Sequence, residues 1–119
     1  MKQIILDIEA NGLRPDTAVN TIFTVPVANV AVTPPDPVTT FIVKTIILHN
    51  SAGSGNVIVK LFHNNGSSDV EINNITVAHG TTQQLDGPYV YSAGDALKLQ
   101  ADATTLSSDI SVLEIKDQL

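Results

Sequence analysis

The chain has 119 residues, enough for one domain whose core needs no metal or disulfide staple. Six basic residues against twelve acidic ones leave a net charge of −6, which excludes a basic track along a nucleic-acid backbone and charge-driven docking on an anionic membrane. There is no cysteine, so disulfides, thiol catalysis and thiolate metal sites are excluded as well.

Met1 to Asp7 holds one lysine and a three-residue apolar run, short of a signal peptide, and no run approaches membrane-spanning length. The expectation is a protein made and kept in a cytoplasm. Ile4, Leu6 and Ile8 alternate with Asp7 and Glu9, after which Asn11-Gly12 signals a turn and Arg14-Pro15-Asp16 a loop. Residues 1–20 therefore read as an N-terminal arm or edge strand ahead of a β-sandwich domain over 21–119. Thr21 to Val25 is a short strand ended by Pro26. In Pro34-Pro35-Asp36-Pro37 three of four residues lack an amide donor, which predicts an exposed, stiff loop.

Phe41 to His63 is the most strand-like stretch. Two β-branched apolar runs flank Ser51-Ala52-Gly53-Ser54-Gly55, the signature of a β-hairpin. Pairing about Gly53 puts Phe41, Val43, Thr45, Ile47, Val57, Val59 and Leu61 on one face, expected to be the core. The other face carries Ile42, Ile46, Leu48, Ile58 and Phe62 with Lys44 and Lys60, and is expected to be an apolar surface for self-association.

Asn64 to Ser68 is a further turn, followed by a strand from Val70 to Ala78 and a break at His79-Gly80. Thr81 to Leu85, closed by Asp86-Gly87-Pro88, and Tyr89-Val90-Tyr91 are short candidates. Leu97, Leu99 and Ala101 alternate with Lys98, Gln100 and Asp102 as a half-buried strand, and a last strand runs from Ile110 to Ile115. Eight or nine short strands with no sustained helical period give an all-β fold: an antiparallel two-sheet β-sandwich, jelly-roll or immunoglobulin-like, of about eight strands.

No pattern carries chemistry. His49, His63 and His79 lack the close spacing of zinc ligands, no serine sits in a nucleophile elbow, and the glycine-rich loop at 51–56 lacks the lysine and helix of a phosphate loop. No catalytic, cofactor or metal residue is assigned, and chelation is expected to leave the melting temperature unchanged; a site overlooked here would involve Asp69, Glu71 or Asp95. Tyr89 and Tyr91 share one strand face and, with the Asn-rich turn at 63–66, would form the contact surface of a carbohydrate-binding module.

A longer pattern runs through the chain. It comprises Phe23-Thr24-Val25-Pro26, Val43 to Asn50, Val57 to Leu61, Ile75 to Thr82, Leu85 to Leu97 and Ile110 to Ile115. It resembles small β-sandwich virion proteins of tailed bacteriophages, a loose group that includes capsid decoration (cement) and tail-associated proteins. The resemblance covers about 22–115, and the arm at 1–20 and the insert at 33–37 fall outside it. It implies no enzyme and no cofactor. It implies a structural protein of the virion, assembled in the host bacterial cytoplasm, with the major capsid protein or other virion proteins as partners and no nucleic acid or membrane. It also implies a homo-oligomer, with a trimer favoured. The leading expectation is a capsid decoration protein that stabilises the shell; the alternatives are a tail, neck or baseplate accessory protein and, in a different class, the carbohydrate-binding module. Ile42, Ile46, Leu48, Ile58, Phe62, Pro34, Pro35 and Pro37 are the expected interface residues, and 1–20 and 33–37 are expected to make contacts outside their own fold.

Overall fold

The computed structural model describes the backbone of Lys2–Ile8 and residues 18–117. Among the described residues eight strands follow one another and no helix occurs: β1 (Lys2–Ile8), β2 (Asn20–Thr24), β3 (Val38–Asn50), β4 (Val57–Asn64), β5 (Asp69–Val77), β6 (Thr82–Tyr91), β7 (Ala96–Ala101) and β8 (Leu106–Asp117). They form two antiparallel four-stranded sheets, ordered β1-β8-β3-β6 and β2-β7-β4-β5. Neighbours pair as first with last: β1 with β8, β2 with β7, β3 with β6 and β4 with β5. That is one long antiparallel ribbon folded over on itself, the topology of a jelly roll rather than of an immunoglobulin domain.

The β-branched run of β3 suits the pleated, half-buried centre of a sheet, and β3 bonds to β6 on one side and β8 on the other. Its burial alternates in two phases. Thr39, Phe41 and Val43 face inward, Lys44 is exposed, and then Ile46, Leu48 and Asn50 face inward. The cause is a β-bulge: Val43 and Thr45 oppose the adjacent residues Val112 and Ser111, so Lys44 is the extra residue. One inserted residue inverts the period-two pattern for the rest of the strand. Thr45 and Ile47, expected in the core, therefore leave it, and Ile46 and Leu48 take their place with no exposed surface.

The expected hairpin between β3 and β4 is also corrected. The two strands lie in different sheets, so 51–56 is an arch across the sandwich. A Gly/Ser loop of this length spans the ~10 Å between sheets as readily as it closes a hairpin. Val57, Val59 and Leu61 of β4 still face inward, opposite the other sheet's Val43, Ile46, Leu48, Ile110 and Val112 in one continuous core. Lys2–Ile8, part of the expected arm, is an edge strand of its own sheet, in register from Lys2 opposite Glu114 to Ile8 opposite Ser108. The expected turn and loop at 11–16 lie outside the described residues. The two candidates at 81–85 and 89–91 are one strand, β6, and Pro88 is tolerated there because β6 is an edge.

Asn50 closes one end of the sandwich. It has no exposed surface, and its side chain joins three connections. The amide nitrogen donates to the carbonyls of Gly55 (3.1 Å) and Val77 (3.0 Å), while Oδ1 accepts from the Ala52 amide (3.0 Å) and the Thr105 hydroxyl (2.8 Å). The Asn50 backbone adds bonds to Gly80 and Thr81. Every polar group it carries is paired, as burial demands.

Candidate interaction surface

The opposite end carries the connector from β2 to β3, residues 25–37. Val25 is buried and fixed to the 92–95 turn, its amide donating to the Asp95 carbonyl (2.8 Å) and its carbonyl accepting from Gly94 (2.9 Å). Further on, Asn29 and Asp36 clamp the connector. The Asn29 amide donates to the Asp36 carboxylate, the Asp36 amide donates to the Asn29 carbonyl, and the Ala31 amide donates to Asn29 Oδ1, each at 3.1 Å. Between the clamp residues runs a tip, 30–35, without an ionisable side chain. Val27 is 74% exposed, Val30 62% and Val32 41%, values unusual for valine on a folded surface. Pro34 is exposed, while Pro35 and Pro37 are half-buried. Pro37 lines a shallow hollow of about 220 Å³ with Pro26, Val27, Thr39, Glu114 and Lys116.

The outer face of the β1-β8-β3-β6 sheet carries an apolar row. Register places Ile42 between Val90 of β6 and Leu113 of β8, with Ile115 one step along, opposite Thr40. Val90 is 53% exposed and the others are half-buried. Ile58, 44% exposed, and half-buried Phe62 sit instead on the outer face of the other sheet. There the charges pair locally, Lys98 with Asp69 (3.1 Å) and Lys60 with Glu71 (3.9 Å).

The expected apolar patch is therefore divided among three environments. Ile42 faces out from one sheet, Ile58 and Phe62 from the other, and Ile46 and Leu48 lie in the core, where the bulge at Lys44 puts them. Sequence reasoning passed over Val27, Val30, Val32 and Val90. For Val27, Val30 and Val32 the signal was present in valines of a proline-bounded connector with no strand partner to cover them, whereas Val90 lies on the outer face of the edge strand β6, opposite Ile42.

The tyrosine surface is corrected too. Tyr89 and Tyr91 do share a face, but it is the inner one, and Tyr91 is fully buried. Its ring stands edge-on to Phe23 (centroids 5.2 Å apart) and stacks on His63 (4.3 Å), closing this end of the core across both sheets. A sugar cannot reach it. The amides of Asn64 and Asn65 are engaged within their own turn, with Asp69, Gly66, Ser67 and Ser68.

The histidines remain apart. His63 Nε2 donates to Asp95 (2.9 Å), His49 lies 2.9 Å from the Thr82 hydroxyl, and His79 is exposed in a turn. Among the described residues no group of three or more metal-ligating side chains converges.

Burial pushes the Tyr91 phenol well above its ordinary pKa, and its hydroxyl has no hydrogen-bond partner among the described residues. An unpaired buried hydroxyl costs stability, so Tyr91→Phe is expected to raise the unfolding free energy by about 1 kcal/mol. A loss of that size on chemical denaturation would show that the hydroxyl is satisfied.

The Asn64 amide, and then Lys98, hold the Asp69 carboxyl below its ordinary value of 3.8. Its contribution is complete above that value and is lost as the pH falls through the lowered one. Asp69→Asn is expected to flatten the acid limb of the stability profile by lowering the neutral region slightly toward an unchanged acid end; an unaltered acid limb would contradict this.

No family model and no curated protein matches the chain in sequence. Among solved structures, it is similar to a chain of the Bacillus endospore appendages, a family of disulfide-linked pili, with a TM-score of 0.52 at 12% identity over 98% of this chain and 87% of that one. It is also similar to a pentameric capsid protein from metagenomic phage sequences, at 0.47 and 16% over 97% and 62%, and to the extra small virus particle of the freshwater prawn Macrobrachium rosenbergii, at 0.47 and 13% over 99% and 79%. The first likeness shows a shared fold. Since this chain has no cysteine, any polymer it forms is held without disulfides.

Proposed function

We propose that this chain is a non-enzymatic structural protein of a bacteriophage virion, and that it decorates the capsid, binding and stabilising the shell as a trimer. The observation that carries this reading is the clamped, charge-free connector tip, which projects valines into solvent from the end of a rigid jelly roll. Such a feature suits contact with protein, and jelly rolls are a recurrent architecture of viral shells. The sequence resemblance to phage virion proteins supports the same reading. A net charge of −6 supports a position on the outside of the shell, away from packaged nucleic acid.

The test is to add the purified protein to particles that lack it. Saturable binding at a copy number matching the shell lattice, with a rise of several degrees in the temperature of shell disruption, is the expected result. Binding of only a handful of copies per particle would place the protein in the tail, neck or baseplate instead, and no binding would remove the virion reading.

A further inference from the structure

Copies of a chain with net charge −6 repel one another over most of their surface and attract where facing patches are uncharged or opposite in sign. Among the described residues two such patches stand out. One is the tip 30–35, whose clamp fixes its shape before docking and so reduces the ordering entropy lost on contact. The other is the row of Val90, Ile42 and Leu113 on the outer face of β6, β3 and β8. Their borders are complementary. Asp36 flanks the tip, and Lys44, exposed on its bulge, flanks the row. Lys60, Lys98 and Lys116 each have a carboxylate within ion-pair distance; Lys44 has none among the described residues.

A tip-on-tip contact would bring two Asp36 side chains together and leave both rows in water. A tip-on-row contact buries both patches of every copy and sets Asp36 near the Lys44 of its neighbour. We infer that the tip 30–35 of one copy seats on the β6-β3-β8 face of a second copy, with Val30 and Val32 against Val90 and Ile42. This deepens the assembly reading above and rests on it. The contact is head-to-tail, and such contacts repeated around an axis close a ring.

The test uses the free, full-length protein and measures native mass at tens of micromolar. Val30→Asp and Val90→Asp alter exposed positions, and unchanged melting curves verify their folding. Wild type is expected to form a closed ring and each variant to be monomeric, its association weakened by more than about tenfold. Mixed, the two variants are expected to form a heterodimer and nothing larger, because the intact tip of Val90→Asp meets the intact row of Val30→Asp. A mixture that stays monomeric, either variant retaining the wild-type mass, or a monomeric wild type would each overturn the inference. The proposed function fails separately, when the protein does not bind particles; a monomeric wild type that still saturates shells removes the tip-on-row contact alone.

Discussion

Replacing Asn50 with alanine is expected to lower the unfolding free energy by about 3–4 kcal/mol, the largest loss for any single polar side chain among the described residues. The substitution strands four partners at once. The Gly55 and Val77 carbonyls lose their donor, and the Ala52 amide and Thr105 hydroxyl lose their acceptor. Water can reach some of these groups at the end of the sandwich, which keeps the loss below the sum of four full desolvation penalties. Asn50→Asp separates the two halves of the network. It keeps the acceptor for Ala52 and Thr105 but turns a second oxygen toward two carbonyls, so it is expected to be at least as damaging at neutral pH. Urea denaturation measures both. A loss under about 1 kcal/mol for Asn50→Ala would mean that the three connections are held by other contacts.

Gly87→Ala is expected to cost about 2–4 kcal/mol, through sterics alone. A Cβ at this position would run into the Val43 carbonyl oxygen and lie 2.8 Å from the Tyr89 amide nitrogen. Neither is the end of a flexible side chain. Val43 is the last residue before the bulge and is held by both β6 and β8, so the backbone has no direction in which to yield. Gly53→Ala is the matched control. Nothing lies within 4 Å of a Cβ there, and its stability is expected to be unchanged or slightly raised. Equal stability of the two variants would contradict the packing of β6 over the bulge.

The position of Gly87 also shows how far the sequence could be read. Strand-forming segments were legible wherever a local period was intact: Leu97, Leu99 and Ala101 alternate as expected and are buried, and the Asn64–Ser68 turn lies between β4 and β5. The bulge was not legible, because Lys44 is a residue of ordinary backbone preference and nothing local marks it as an insertion. Its trace lies across the sheet, in the Gly87-Pro88 pair that makes room for it. The arch between β3 and β4 was missed for a related reason. Apolar runs around a Gly/Ser loop specify that the chain turns, but not which strand each run pairs with, and here the partners are up to seventy-nine residues away, Val38 opposite Asp117. Asn50 was the available clue: an amide ending an otherwise apolar strand beside a loop points to buried polar anchoring rather than to a free hairpin end.

The interaction surface was half legible. The prolines of 33–37 announced an exposed loop, and Pro34 is exposed in it. The paired-face expectation failed at Ile46 and Leu48 because it extended one alternation through the bulge. What makes the connector a docking element is the Asn29–Asp36 clamp, whose two residues are seven apart with no regular secondary structure between them. No local rule predicts such a contact.

The proposed function makes this jelly roll a protein of the virion exterior. The most direct measurement is a cryo-EM reconstruction of intact particles from the host that produces it. The expected result is eight-stranded density on the outer surface of the shell, grouped as trimers, with the 25–37 end of each copy against its neighbour. Particles of full composition that contain no copy of the chain would contradict it.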